Sequence, residues 1–331
     1  MTKLRIEGGN QLNGIIRIDG AKNAILPILA GCILVNGKVE LHTVPKISDI
    51  TNMLKILSHL GCVIKIKGDT VLIDATEIKT NVIPDEIAKK IRGSIFIMGA
   101  LLARTGSVKM PYPGGCAIGT RPIDIHITAL KQIGVRIKST KTHIECVSHN
   151  KQPDGNREHF EPRNRRIDLM GNTPTREPRG KCEPRENKNN KNIKTIYLDF
   201  PSVGATENII LATVLRKGKY RIINAATEPE VTDLCNFLTA CGGNIVGIGT
   251  KEITVTGVPE LHGCEYTPMP DRINTGSYLI AAVCCGGCVT LQNVVPQHNG
   301  NLLEKLKSIG AKIKTTENTI QITYKKNTLP K

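Results

Sequence analysis

Tryptophan is absent from this 331-residue sequence, and aromatic residues make up only 3 % of it. That removes the stacking platforms on which single-stranded nucleic acid is usually bound. No apolar run reaches the roughly 18 residues of a membrane span. The opening MTKLRIEGGNQLNG lacks the charged-then-apolar layout of a signal peptide. A chain of the cytosol, without a membrane partner, is expected. Acidic residues are scarce beside basic ones, 29 against 45, for a formal charge of +16. Partners are therefore expected to be anionic, and small phosphorylated molecules fit better than nucleic acid.

Eleven cysteines are present, but they are odd in number, scattered and mostly set in apolar segments. They read as reduced thiols packed as small hydrophobes. One CxxC, Cys285 to Cys288, has no second pair at zinc-ligand spacing, so packing and a redox or metal role both stay open.

Four segments share a pattern: GKVELHTV from Gly37, GSVKMPYP from Gly106, GKYRIINA from Gly218 and GCVTLQNV from Gly287. Each reads as a glycine turn entering an alternating strand. A gap of 69 residues separates the first pair and the last pair, whereas 112 separate the second from the third. Before each glycine lies an apolar, small-residue helix, such as AILPILAGCILV. After each strand come an amphipathic helix and a strand pair. The pattern predicts an α/β protein of four helix–strand–helix–strand–strand units of about 70 residues. The long gap holds an insertion at about 148–194, with twelve lysines and arginines against seven acids and few branched apolar residues. Its composition predicts a disordered surface loop, with a nucleic-acid arm as the lesser alternative.

Chemistry concentrates at loops and helix starts. In MPYPGGCAIGTRP, Pro111, Pro113 and Pro122 disfavour a helix or central strand, so Cys116 stands on a loop with Arg121 nearby to favour its thiolate. In DGAKNAILP, Lys22 and Asn23 stand at the mouth of the first inner helix; they can face an anion or merely solvent. Arg92 holds the equivalent place in the second unit. In DFPSVGATEN, Ser202, Gly204 and Thr206 offer hydroxyls and N–H groups at a helix start, for an anion or as an ordinary cap.

Taken together, GAKNA, IRGSIFIMGALLAR, PGGCAIGTRPIDIH, DFPSVGATEN, NAATEPEVTDL and PDRINTGSYLIAA resemble the UDP-N-acetylglucosamine 1-carboxyvinyltransferases, from Leu4 to about Ile322. These enzymes open bacterial peptidoglycan synthesis. The resemblance implies an inside-out α/β barrel fold (the enolpyruvyl transferase fold) with four of the usual six units present. Residues 22–269 would form a complete three-unit domain, and residues 1–21 with 270–331 an incomplete second one. It implies transfer of the enolpyruvyl group of phosphoenolpyruvate to the 3′-hydroxyl of UDP-N-acetylglucosamine, with phosphate released and neither metal nor organic cofactor.

Site roles come from the same resemblance. Lys22 and Arg121 would hold phosphoenolpyruvate, and Cys116 would be the proton donor and the thiol alkylated by the epoxide fosfomycin. Asn23 and Arg92 would face the UDP-sugar or the closed cleft. Arg121, Pro122, Ile123, Asp124 and Ile125 would form the uridine side, with Ser202 and Val203 beside the diphosphate. The family's general-base aspartate belongs to a unit this sequence does not contain. The alternative is therefore a UDP-sugar-binding pseudoenzyme or inactive remnant. The sister enzymes acting on shikimate 3-phosphate share the fold but would not carry this cysteine loop.

Overall fold

The computed structural model describes residue 5 and residues 7–114, 123–148 and 193–325. Cys116, Arg121 and Pro122, and nearly all of the insertion, lie outside the described residues.

Strand β1 (Leu12–Arg17) precedes the first unit. That unit contains α1 (Lys22–Cys32), β2 (Val35–Asn36), β3 (Lys38–Leu41), α2 (Ser48–Leu60), β4 (Val63–Lys67) and β5 (Thr70–Asp74). A short helix α3 (Asp85–Ala88) and a 3-10 turn (Arg92–Ile95) lead into the second: α4 (Phe96–Arg104), β6 (Ser107–Pro111), α5 (Asp124–Gln132), β7 (Val135–Ser139) and β8 (His143–Ser148). The third follows β9 (Ile193–Tyr197) and comprises α6 (Val203–Thr213), β10 (Lys219–Ile223), α7 (Pro229–Ala240), β11 (Asn244–Val246) and β12 (Glu252–Thr256). After β13 (Leu261–His262) and β14 (Glu265–Tyr266) comes the fourth: α8 (Arg272–Cys285), β15 (Gly287–Gln292), α9 (Gly300–Ser308), β16 (Lys312–Thr315) and β17 (Thr319–Tyr324). The insertion is narrower than 148–194, since Ser148 ends β8 and Ile193 and Lys194 open β9. Pro111 also ends a strand rather than joining the loop; β6 is an edge strand, where a missing N–H is tolerated.

The four units share one topology. The first strand of each pairs antiparallel with the third, and the third with the second, giving β3-β5-β4, β6-β8-β7, β10-β12-β11 and β15-β17-β16. Gly37, Gly106, Gly218 and Gly287 all have φ between +84° and +136°. The turn into each first strand therefore takes a backbone conformation that side chains resist, which is why the repeat is marked by glycine. A parallel strand is added beside the first strand in three units: β14 on β3, β9 on β10 and β1 on β15. In the second unit this place is held by one bridge, Val82 to Lys109. Strand β14 follows the third unit yet completes the sheet of the first.

Helices lie inside and sheets outside. The interior turns of α1, α4 and α6 are buried on every side; those of α1 and α4 are apolar throughout and have no polar face to turn outward, whereas α6 also buries Thr206, Glu207, Asn208 and Thr213. Helix α2 shows the amphipathic alternative, burying Ile50, Met53, Leu57 and Leu60 at helical spacing. Close approach of α4 to α6 depends on Gly99, where a Cβ would strike the backbone and side-chain oxygens of Asn208. One hydrophobic cluster runs from Ile25 to Leu261, and another joins Ile18 to residues between Leu279 and Tyr324. Helix α8 has the make-up of an inner helix, yet Ile273 and Ile280 are 51 % and 48 % exposed.

Candidate active site

The starts of α1, α4, α6 and α8 converge on one cleft of about 550 Å³. Lys22 and Asn23 begin α1, Arg92 and Gly93 lead into α4, Ser202 and Val203 begin α6, and Arg272 begins α8; all line it. Helix starts present unpaired N–H groups and the positive end of the helix dipole, so the cleft favours anions before any side chain is counted. Inside α1, Pro27 has no N–H to give the Asn23 carbonyl, leaving that oxygen without its helical partner at the cleft.

Carboxylates hold two of the lining cations in place. Lys22 Nζ lies 3.3 Å from Asp49 Oδ2, and Arg272 Nε donates to Glu230 Oε1 at 3.0 Å. Asp271 caps α8 by accepting from the N–H groups of Ile273 and Asn274 at 2.8 and 2.9 Å. Its other oxygen lies 3.4 Å from the Lys22 backbone nitrogen, so one side chain ties the starts of α8 and α1.

The floor of the cleft is less charged than its residue names imply. Asn208 is fixed by three buried bonds: its Oδ1 accepts from Gly99 N at 2.7 Å, and its Nδ2 donates to Ile95 O at 2.9 Å and meets His126 Nδ1 at 3.0 Å. Because Nδ2 can only donate, His126 Nδ1 accepts and the ring proton sits on Nε2. Burial, reinforced by Arg92, pushes His126 down to about 4, so the ring is neutral. Its Nε2 edge lies against Gly204, whose Cβ, if present, would stand 3.3 Å away. Glu207 is fully buried, and neither carboxyl oxygen has a protein partner. Burial, then the charges of Glu230 and Glu228, raise its pKa well above the usual carboxylate value, which favours its protonated form.

Of the residues singled out in the sequence, Lys22, Asn23, Arg92, Ile125, Ser202, Val203 and Gly204 share this cleft. Ile123 is buried and Asp124 is exposed at the start of α5, and neither lines the cleft. Thr206 does not offer its hydroxyl to a ligand. It is fully buried, donating to Ser202 O at 2.8 Å and accepting from Ala226 N at 3.1 Å. Ser202 does cap α6, accepting from Ala205 N at 3.3 Å. Sequence reading passed over Asp49, His126, Glu207, Glu228, Glu230 and Arg272. A signal existed for Glu207, the one charged residue in the helix VGATENIILAT. Among the described residues no cluster of three or more His, Cys, Asp or Glu is placed to hold a metal ion.

A family model described as EPSP synthase (3-phosphoshikimate 1-carboxyvinyltransferase) matches residues 6–160 and 179–330. UDP-N-acetylglucosamine 1-carboxyvinyltransferase 2 of Caldanaerobacter subterraneus subsp. tengcongensis is 40 % identical over 326 residues, covering 98 % of this chain and 69 % of that protein. The chain belongs to the EPSP synthase family, on the UDP-N-acetylglucosamine 1-carboxyvinyltransferase branch. A protein of the same name from Carboxydothermus hydrogenoformans is 41 % identical, covering 95 % of this chain and 65 % of its own length. The chain thus spans about two thirds of the length of the curated relatives it matches. Among solved structures, the enolpyruvyl transferase NikO from Streptomyces tendae superposes with a TM-score of 0.74 at 17 % identity, covering 97 % of this chain and 67 % of that one. EPSP synthase from Acinetobacter baumannii gives 0.63 at 17 % identity, over 96 % and 66 %. These likenesses establish the enolpyruvyl transferase fold for the family member described here.

Proposed function

We propose that this chain carries the cleft in which an enolpyruvyl group passes from phosphoenolpyruvate to the 3′-hydroxyl of UDP-N-acetylglucosamine, with release of phosphate, in the cytoplasm. The observation that carries the reading is the meeting of Lys22, Arg92 and Arg272 with the starts of α1, α4, α6 and α8 in one cleft. Both substrates are anionic, and paired cations at helix starts suit their phosphates and carboxylate. Lys22, with Arg121, holds phosphoenolpyruvate; Asn23, Arg92, Ser202, Val203 and the stretch from Arg121 to Ile125 hold the nucleotide sugar. Cys116 protonates the methylene carbon, which makes the adjacent carbon electrophilic toward the sugar hydroxyl. Residues 22–269 serve as one complete domain, and residues 1–21 with 270–331 as part of a second; the separate clusters around Ile25 and Leu279 support that division.

Two measurements test the reading. Calorimetry on the 331-residue chain is expected to detect UDP-N-acetylglucosamine, and Arg92→Ala is expected to weaken binding about tenfold, or ~1.4 kcal/mol. A folded chain that takes up no UDP-sugar overturns the proposal. Fosfomycin, an epoxide, is expected to add to Cys116, with peptide mass mapping as the readout. Labelling of another cysteine in its place removes Cys116 from its role.

A further inference from the structure

Outside the cleft, one pair of reactive groups stands in close contact. Cys241 Sγ and Cys264 Sγ are 3.2 Å apart, close enough for one thiol to donate to the other. Their backbones are anchored on different units. Cys241 ends α7 of the third unit, and its carbonyl accepts from His262 N at 2.9 Å. Cys264 leads into β14, and its carbonyl accepts from Glu40 N at 2.9 Å on β3 of the first unit. Cys241 is fully buried, whereas Cys264 is half-buried. Tyr266 and Met269, farther along the same strap, bond to Asp233 of α7 at 2.6 and 3.0 Å. The strap ends at Asp271, the cap of α8.

We propose that Cys241 and Cys264 form a reversible disulfide site that staples the strap from β13 to α8 onto the end of α7. The site is separate from the cleft and does not depend on the enolpyruvyl reading. Roles within the pair follow from the environment. Cys264 is the more exposed of the two, and the contact lowers its pKa, while that same contact and burial raise Cys241. Cys264 is thus the attacking thiolate and Cys241 the resolving thiol. A low-molecular-weight disulfide of the oxidised-glutathione class is the oxidant. Cys264 Sγ attacks one of its sulfurs, forming a mixed disulfide and expelling one small thiolate. Cys241 then loses its proton to solvent and attacks Cys264 Sγ, expelling the second. Two protein thiols are oxidised and one small disulfide is reduced to two thiols.

The test treats the native full chain with oxidised glutathione and maps its peptides without reduction. The expected product joins the Cys241 and Cys264 peptides with the loss of two hydrogens, and reductant restores the thiols. In Cys241→Ser the glutathione adduct is expected to persist on Cys264, because no resolving thiol remains. The urea midpoint of the wild-type chain is expected to rise on oxidation, since a closed loop restricts the unfolded chain. A chain whose Cys264 is modified but never joined to Cys241 overturns the proposal. So does a cross-link from Cys264 to Cys32 instead, and a midpoint that does not rise overturns the stapling.

Discussion

Glu207→Gln is expected to leave stability nearly unchanged at pH 4 and to raise it progressively toward pH 8. Glu207 is fully buried with both carboxyl oxygens unpartnered, and Glu228 and Glu230 add negative charge on its α7 side. Its folded pKa is therefore raised above the value in the unfolded chain. Below the ordinary carboxylate value the acid is protonated in both states, and Gln mimics it. Above that value the unfolded chain releases the proton while the folded chain keeps it. Wild-type stability then falls by about 1.4 kcal/mol per pH unit, until pH passes the raised folded pKa. Gln has no proton to lose, so the difference between the two proteins grows over the same window. Urea unfolding of both proteins from pH 4 to 8 reads this difference directly, and other titrating groups cancel in it. Parallel stability curves would mean that Glu207 has no raised pKa in the folded chain; Lys22, Arg92 and Arg272 are the cations that line the same cleft, and His126 of α5 is neutral. The same proton matters to the cleft. A charged Glu207 beside Glu228 and Glu230 would set three negative charges where anions are to bind.

Glu207 also shows where sequence reading stops. The repeat was legible because its markers are local: a positive-φ glycine, an alternating strand and a helix of small apolar residues each reveal themselves within a dozen positions. Inner helices were legible for a similar reason, since a helix without a polar face has nowhere to go but the interior. The cations of the cleft were legible in part, because Lys22 and Arg92 sit at helix starts, and the helix starts of repeated units tend to share one end of the fold. What escaped was long-range. Gly99 and Asn208 are 109 residues apart, and the bond between them exists only once α4 lies on α6. Strand β14 joins β3 across more than two hundred residues, from a segment the repeat does not contain. Thr206 stayed open because a hydroxyl at a helix start can turn outward to a ligand or back to the chain, and spacing does not distinguish the two.

Asn208→Ala is expected to cost about 3–5 kcal/mol, a large share of the stability of a single domain. Three partners lose their bonds together: Gly99 N, Ile95 O and His126 Nδ1. All are buried where α4, α5 and α6 meet, and water has little room to replace the amide. The Ala variant also opens a cavity at the closest helix contact of the core. Urea unfolding measures the total, but a large loss alone would only show that the site is well packed. Asn208→Asp separates the roles. A carboxylate can still accept from Gly99 N, but it cannot donate to Ile95 O or to His126 Nδ1. Instead it favours a proton on Nδ1, and the wild-type His126 pKa of about 4 is expected to rise in this variant. NMR titration of the ring reads that shift independently of stability. An unchanged His126 titration in Asn208→Asp would show that burial and Arg92 set the histidine without help from the amide, and that Asn208 serves the helix contact alone.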